Sequence, residues 1–284
     1  MVCRTHIAVV AAALAMGTIL GAQARPSPPN ALHLYIFDNG TIKGLDPKLF
    51  NFTREEIKNP DFVTVSYLIV HPRGTLMFDS GEIPDSEFVK SDGAPVTSGI
   101  MSATKALKPQ LASVGFKPAD ITYFALSHYH SDHTANANDF AGSTWIVQKA
   151  DRDFMFQDKP QGIIQPAHYS ALKNAKTKLL DNADFDVFGD GAVVIKSAPG
   201  HTPGHQVVFV KLPKTGPVLL AGDLYHYPEE RTTGKVPTFE FNADQSRASR
   251  QKIEAFIKQT GAKLWIEHDQ ATHAALPKAP SVIE

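Results

Sequence analysis

Three histidines and an aspartate fall within six positions of the segment FALSHYHSDHTA (residues 124–135): His128, His130, Asp132 and His133. Neutral imidazoles and a carboxylate, with no thiolate beside them, suit a borderline divalent cation such as zinc in a catalytic site. His128 and His130 lie two apart at the end of an apolar run, so they project to one side and can share one ion. Asp132 and His133 follow on the turn and can serve a second ion close by. The ordinary alternative is a solvated histidine cluster. With 12 histidines in 284 residues, an H-x-H-x-D-H pattern arises by chance in only about one such chain in a thousand, so the metal reading stands.

Further polar groups sit where other apolar runs end. His201 and His205 follow AVVIK in SAPGHTPGH, Asp223 closes VLLAGD, and His268 closes LWIEH. Side chains in these positions can converge on one edge of a pair of sheets. His273 lies beyond its run and competes poorly with His268, while His33, His71 and His168 read as solvated or core histidines.

The elements needed to deliver these groups are short and apolar. Residues 62–70 and 74–81 flank the His71-Pro72-Arg73 turn and read as a hairpin. Residues 98–116 have helical spacing, interrupted by Pro109 and Gly115. Strands are expected over 121–127 and 143–148, and a helix over 149–156. A second meander covers 185–212 and 216–223. The clearest helix spans 244–260, with Ile253, Phe256 and Ile257 on one face and Gly261 as its stop, and it leads into a last strand over 263–269. Strands then helix, twice over, suit two sheets packed face to face with helices outside.

Composition narrows the function class. Residues 1–4 are basic, 7–20 are apolar, and Ala22-Gln23-Ala24 has the small-x-small form of a signal-peptidase site, so residues 1–24 read as a signal peptide and 25–284 as one domain. The expected location is therefore periplasmic or secreted, with no stable membrane association after processing. The only cysteine, Cys3, lies in that leader, which leaves no disulfide and no thiolate ligand. Without Arg4 the balance is 27 basic against 29 acidic residues, which argues against a nucleic-acid surface.

FDSG (78–81), SHYHSDH (127–133), PGHTPGH (199–205), AGD (221–223) and EHD (267–269) together resemble the metallo-β-lactamase-fold hydrolases, in that family's order and over nearly all of the processed chain. The resemblance implies a four-layer αββα sandwich in the α/β class with two metal ions at its edge. It assigns His128, His130 and His201 to the first ion and Asp132, His133 and His268 to the second, with Asp223 bridging. It makes Asp79 a supporting residue and His205 a brace. A water shared by two such ions loses its proton near neutral pH, which makes the chain a hydrolase with a metal-bridging hydroxide as nucleophile.

The stretches YLIVHPRGTLMFDSGEIP, GSTWIVQKADRDFM and GHTPGHQVVFVKLPKTGPVLLAGD look most like the N-acyl-homoserine lactonases. The substrate implied is a small acyl lactone, its tail covered by the apolar residues 32–52, and a homodimer is the analogy. A β-lactamase-like enzyme, a thioesterase or a general esterase of the same fold is the alternative. Catalytic roles fall to Asp132, as proton donor to the leaving alkoxide, and to Asp223. One departure stands out: those lactonases carry a tyrosine three residues after the bridging aspartate, and here that place is His226. Tyr225, by a shifted turn, and His226 both remain candidates for the donor to the substrate carbonyl.

Overall fold

Alternation of apolar side chains builds the middle of the molecule. The computed structural model describes residues 1–2, 30–159 and 161–284, so the expected leader lies outside the described residues but for its first two. One sheet contains β1 (His33–Ile42), β2 (Phe62–His71), β3 (Gly74–Phe78), β4 (Val96–Ser98), β5 (Met101–Ala103), β6 (Tyr123–Ala125), β7 (Thr144–Gln148) and β8 (Thr177–Leu180). Its strand order is β4-β5-β1-β2-β3-β6-β7-β8. The second sheet contains β9 (Phe185–Asp186), β10 (Val193–Ser197), β11 (Gln206–Leu212), β12 (Gly216–Leu220) and β13 (Lys263–Trp265), in the order β13-β12-β11-β10-β9.

Successive residues of a strand face opposite sides of its sheet. Leu34 and Ile36 of β1, Val65, Tyr67 and Ile69 of β2, Val208 and Val210 of β11, and Val218 and Leu220 of β12 meet between the sheets in one core. The outer face of the larger sheet buries Phe37, Leu68, Met77, Phe124 and Trp145 under Leu107, Leu111 and Phe140. The outer face of the smaller one buries Val207, Phe209 and Leu219 under Ile253 and Ile257 of the helix Ala243–Thr260. That helix starts where Asn242 accepts the backbone N–H groups of Asp244 and Gln245, and it stops at Gly261, which is in the left-handed region at φ 69°. The result is the expected helix–sheet–sheet–helix sandwich. Among the described residues no helix is long and apolar enough to cross a membrane.

Three expectations need correction. Residues 98–116 are not one helix: β4 and β5 form a hairpin around Gly99 (φ 62°) and Ile100, and the helix runs only over Leu107–Ser113. Pro109 sits in its first turn, where a missing N–H leaves no hydrogen bond unmade. The strand expected over 263–269 ends at Trp265, so Glu267 and His268 lie on the turn beyond it. Residues 32–52 are not one loop over a ligand, because β1 occupies much of that stretch and sends Leu34 and Ile36 into the core.

Candidate metal centre

Strand ends bring the chemistry together. The chain leaves β6 at Ala125 and reaches a single turn of helix, Ser131–Thr134, so that residues 126–133 wrap the sheet edge. The β10–β11 connection carries His201 and His205, Asp223 follows β12, and His268 follows β13. Two glycines make the approach possible. Gly222 has φ 47°, and a Cβ there would lie 2.6 Å from the Cβ of Ser127. A Cβ on Gly200 would lie 2.2 Å from the backbone nitrogen of Ser246.

The seven residues expected as ligands form two groups that meet at Asp223. His128, His130, His201 and Asp223 offer donor atoms within 4.8 Å of one another, as do Asp132, His133 and His268. His130 Nδ1 lies 3.0 Å from His201 Nε2, and Asp223 Oδ2 lies 3.3 Å from His201 Nε2 and 3.7 Å from His128 Nε2. Asp223 Oδ1 faces the other way, 3.2 Å from His133 Nε2 and 3.1 Å from His268 Nε2. Asp132 Oδ2 closes that second group, 3.5 Å from His133 Nε2 and 3.7 Å from His268 Nε2. Metal–ligand bonds of about 2.0–2.1 Å in a tetrahedron separate neighbouring donor atoms by roughly 3.3 Å. The observed separations bracket that value. His128 Nε2, His133 Nε2 and Asp223 Oδ1 are buried yet make no hydrogen bond, although they sit this close to opposing donors. Buried polar atoms left so are costly, and a cation between them removes the cost.

The groups behind the donors orient them. His268 donates Nδ1–H to the carbonyl of Val63 at 2.9 Å, which leaves Nε2 free, and Phe62 stacks on its ring at 4.6 Å. Ser127 Oγ lies 2.9 Å from His128 Nδ1. Asp79, at φ 61°, accepts the backbone N–H of Ser127 at 2.6 Å and faces His133 Nδ1 at 3.2 Å. Glu267 faces the same nitrogen at 3.3 Å. Burial alone would lower the pKa of His133, but the carboxylates of Glu267, Asp223, Asp132 and Asp79 hold it well above its usual value. Burial also keeps His128 far below its usual value and lowers His130 to about 3, so both lone pairs stay available. His205 accepts the backbone N–H of Asp223 on Nε2 at 3.0 Å and donates Nδ1–H to Ala198 at 3.1 Å, which makes it a brace between two ligand loops.

Tyr225 and His226 part company. Tyr225 is buried on the helical side, where its hydroxyl donates to Glu254 at 3.2 Å and Arg250 lies over its ring at 4.4 Å. It is absent from the lining of the pocket above the metal groups. His226 lines that pocket, with Nε2 3.1 Å from Asp223 Oδ2. The pocket measures about 300 Å³, with His130, Asp132, Asp223, His226 and His268 at its floor. Ile42, Leu45, Leu49, Phe50, Phe62, Ile100, Met101, Ile163 and Phe239 make its walls. Of the expected acyl cover, then, residues from Ile42 onwards serve, and the β4–β5 hairpin supplies a wall that the helical reading of residues 98–116 had missed. The remaining histidines stand apart: His33 pairs with Glu284, His71 with Asp190, and His273 Nε2 lies 3.4 Å from the hydroxyl of Tyr67.

Several supporting groups carry no signal in the sequence. Glu240 faces His201 Nδ1 at 3.3 Å from a loop without periodicity. Asp151 accepts the Thr202 hydroxyl at 2.9 Å and the Gly204 N–H at 2.5 Å, so it holds the loop that carries His201. Burial raises its pKa to about 7 despite those two bonds. A carboxyl whose folded pKa is raised stabilises the fold below its unfolded pKa, and that contribution is lost as pH rises through the folded value. Asp151→Asn keeps both contacts if the Thr202 hydroxyl turns to accept from the amide. The variant should gain thermal stability relative to the parent as pH rises from about 4 to 8, as thermal unfolding of both proteins across that window would measure. A difference that does not change with pH would show that Asp151 is ionised throughout.

Comparison with known proteins bears on the fold and the family. Residues 59–263 match the family model described as the metallo-beta-lactamase superfamily. An N-acyl homoserine lactonase, AttM, of Rhizobium johnstonii is 30% identical over 262 residues, covering 88% of this chain and 97% of its own. The AttM lactonase of Azorhizobium caulinodans is 28% identical over 265 residues, again covering 88% of this chain and 97% of its own. Among solved structures, an N-acyl homoserine lactone hydrolase with the product N-hexanoyl-L-homoserine at its catalytic metal centre has TM-score 0.73 at 22% identity, covering 89% of this chain and 99% of that one. AidC, a dizinc quorum-quenching lactonase, has TM-score 0.62 at 21% identity, covering 88% of this chain and 92% of that one.

Proposed function

The chain belongs to the metallo-beta-lactamase superfamily, and from that premise we propose that it is a two-zinc lactonase that opens the ring of N-acyl-homoserine lactones. The observation that carries the reading is the shared Asp223, one oxygen towards each donor group, at the floor of an apolar pocket. His128, His130 and His201 would hold one ion, Asp132, His133 and His268 the other, and Asp223 both. The zinc assignment rests on the donor set, imidazole and carboxylate without thiolate. The AttM relatives and the dizinc AidC support the substrate class and the ion count.

Two divalent cations bound there supply Lewis acidity and bring the pKa of water towards neutrality. The chain's own residues do the rest. The apolar walls exclude water and hold the acyl tail, while Leu49, Ile100 and Ile163, each 42–51% exposed, form an apolar rim through which the tail enters. His226 stands beside Asp223 as donor to the substrate carbonyl; against the effect of burial, Asp223 and Glu230 raise its pKa to about 10, so both ring nitrogens carry a proton. Asp132 lines the pocket, with its side chain 13% exposed, and its carboxylate would take up the proton that the attacking water brings and hand it to the departing alkoxide.

The test is kcat/KM across N-acyl-homoserine lactones of increasing length, beside nitrocefin and a glutathione thioester. Efficiency should rise by up to about fourfold per methylene, from ~0.8 kcal/mol of buried surface each, until the pocket is full. Faster turnover of the β-lactam or the thioester than of every lactone would replace the lactone as substrate. We also infer export to the periplasm or medium, supported by the leader pattern of residues 1–24, and a homodimer by analogy. Cell fractionation and light scattering test these in turn.

A further inference from the structure

A histidine at the floor of the pocket raises a problem of orientation. A tyrosine presents one hydroxyl however its ring turns, but an imidazole rotated by half a turn exchanges nitrogens for carbons at both edges. A group on the far edge must therefore settle which way His226 faces.

That group is on the helix Pro228–Thr233. Glu230 is fully buried and its Oε1, which makes no hydrogen bond, faces His226 Nδ1 at 3.4 Å. Its Oε2 accepts from Arg250 Nη2 at 2.5 Å. Arg250 is itself buried on the helix Ala243–Thr260, where Nε donates to the Leu224 carbonyl at 2.8 Å and Nη1 to the Lys235 carbonyl at 2.6 Å. The guanidinium thus ties both ends of the segment that carries His226 and Glu230 to the outer helix. A carboxylate at Nδ1 rejects the turned ring, which would present a C–H to it, and so keeps Nε2 on the side of Asp223 and the pocket.

We propose that Glu230, anchored by Arg250, is a positioning residue that fixes the ring of His226 with Nε2 towards the substrate. The proposal rests on the lactonase reading for the role of His226, but the orientation of the ring can be tested without it.

The experiment is a double-mutant cycle in the zinc-loaded protein. Glu230→Gln, whose amide can still hydrogen-bond Nδ1, should keep the ring as it stands. Glu230→Leu keeps the bulk of the side chain but offers the ring of His226 no polar partner. It should lower kcat roughly tenfold to a hundredfold with much less change in KM. Combined with His226→Ala it should add nothing to the loss from His226→Ala alone, because Glu230 acts only through that ring. Losses that multiply would overturn the proposal. A second measurement needs neither a substrate nor a folded Glu230 variant. In the parent protein the Nδ1 proton of His226, assigned by its disappearance in His226→Ala, should give a downfield, slowly exchanging resonance. Its absence would overturn the proposal whatever the kinetics. If the protein hydrolyses no lactone but shows this resonance, the substrate reading fails and the orientation of His226 stands.

Discussion

Asp223→Ala should lower kcat/KM for lactone hydrolysis by roughly a thousandfold or more, with the fold retained. Asp223 serves both donor groups: Oδ2 faces His201 and His226, and Oδ1 faces His133 and His268. Removing it takes away the charge that would hold two cations together, so occupancy of the second ion should fall together with the rate. The fold survives for a simple reason. The bond that Asp223 makes to His205 comes from its backbone N–H, which alanine keeps, and the apolar cores lie on the sheet faces rather than at this edge. Elemental analysis, circular dichroism and kinetics on the same preparation check all three parts. Near-normal turnover in a folded variant would show that Asp223 does not bridge.

Removal of metal should have the second large effect, on stability as well as on rate. Asp79, Asp223, Glu230 and Glu267 are each at most 3% exposed, and the donor atoms of His128 and His133 lack hydrogen bonds. Without cations the protein must hold these groups against one another in a poorly solvated space. An ion present at a thousandfold its Kd adds about 4 kcal/mol to folding. A domain of this size moves by about 2–4 °C per kcal/mol. Chelation should therefore lower the melting temperature by on the order of 15 °C and abolish turnover, and two equivalents of zinc per chain should restore both. Restoration by a single equivalent would leave one donor group without its ion. The chelated protein should still fold, because the apolar cores lie on the sheet faces rather than at this edge.

How much of the site could be read in advance depended on where each residue stands in the chain. His128, His130, Asp132 and His133 are neighbours, and His201, Asp223 and His268 each close an apolar run, so the same signal that marks a strand marks its end. Glu240 and Asp151 sit on a loop and a helix start, where acidic residues are ordinary, and nothing in their spacing relates them to the histidine loop they support; Glu230 stands four residues after His226, a spacing that singles it out only once the fold is known. Residues 98–103 misled because apolar residues spaced for a helix also satisfy a tight hairpin when a glycine supplies φ 62° at its turn.

By itself the sequence determined the set of donors, the alternating strands and the long capped helix, because these follow from local spacing and from side-chain chemistry. Only the tertiary structure decided between Tyr225 and His226 as the residue in the pocket. They are adjacent, and adjacent residues leaving a strand face opposite ways. The choice fell to contacts more remote in the chain on one side: Glu254 and Arg250 draw Tyr225 to the outer helix, while His226 keeps its near neighbours Asp223 and Glu230 on its flanks. Such contacts depend on how the helix Ala243–Thr260 packs on the smaller sheet, which no local pattern specifies.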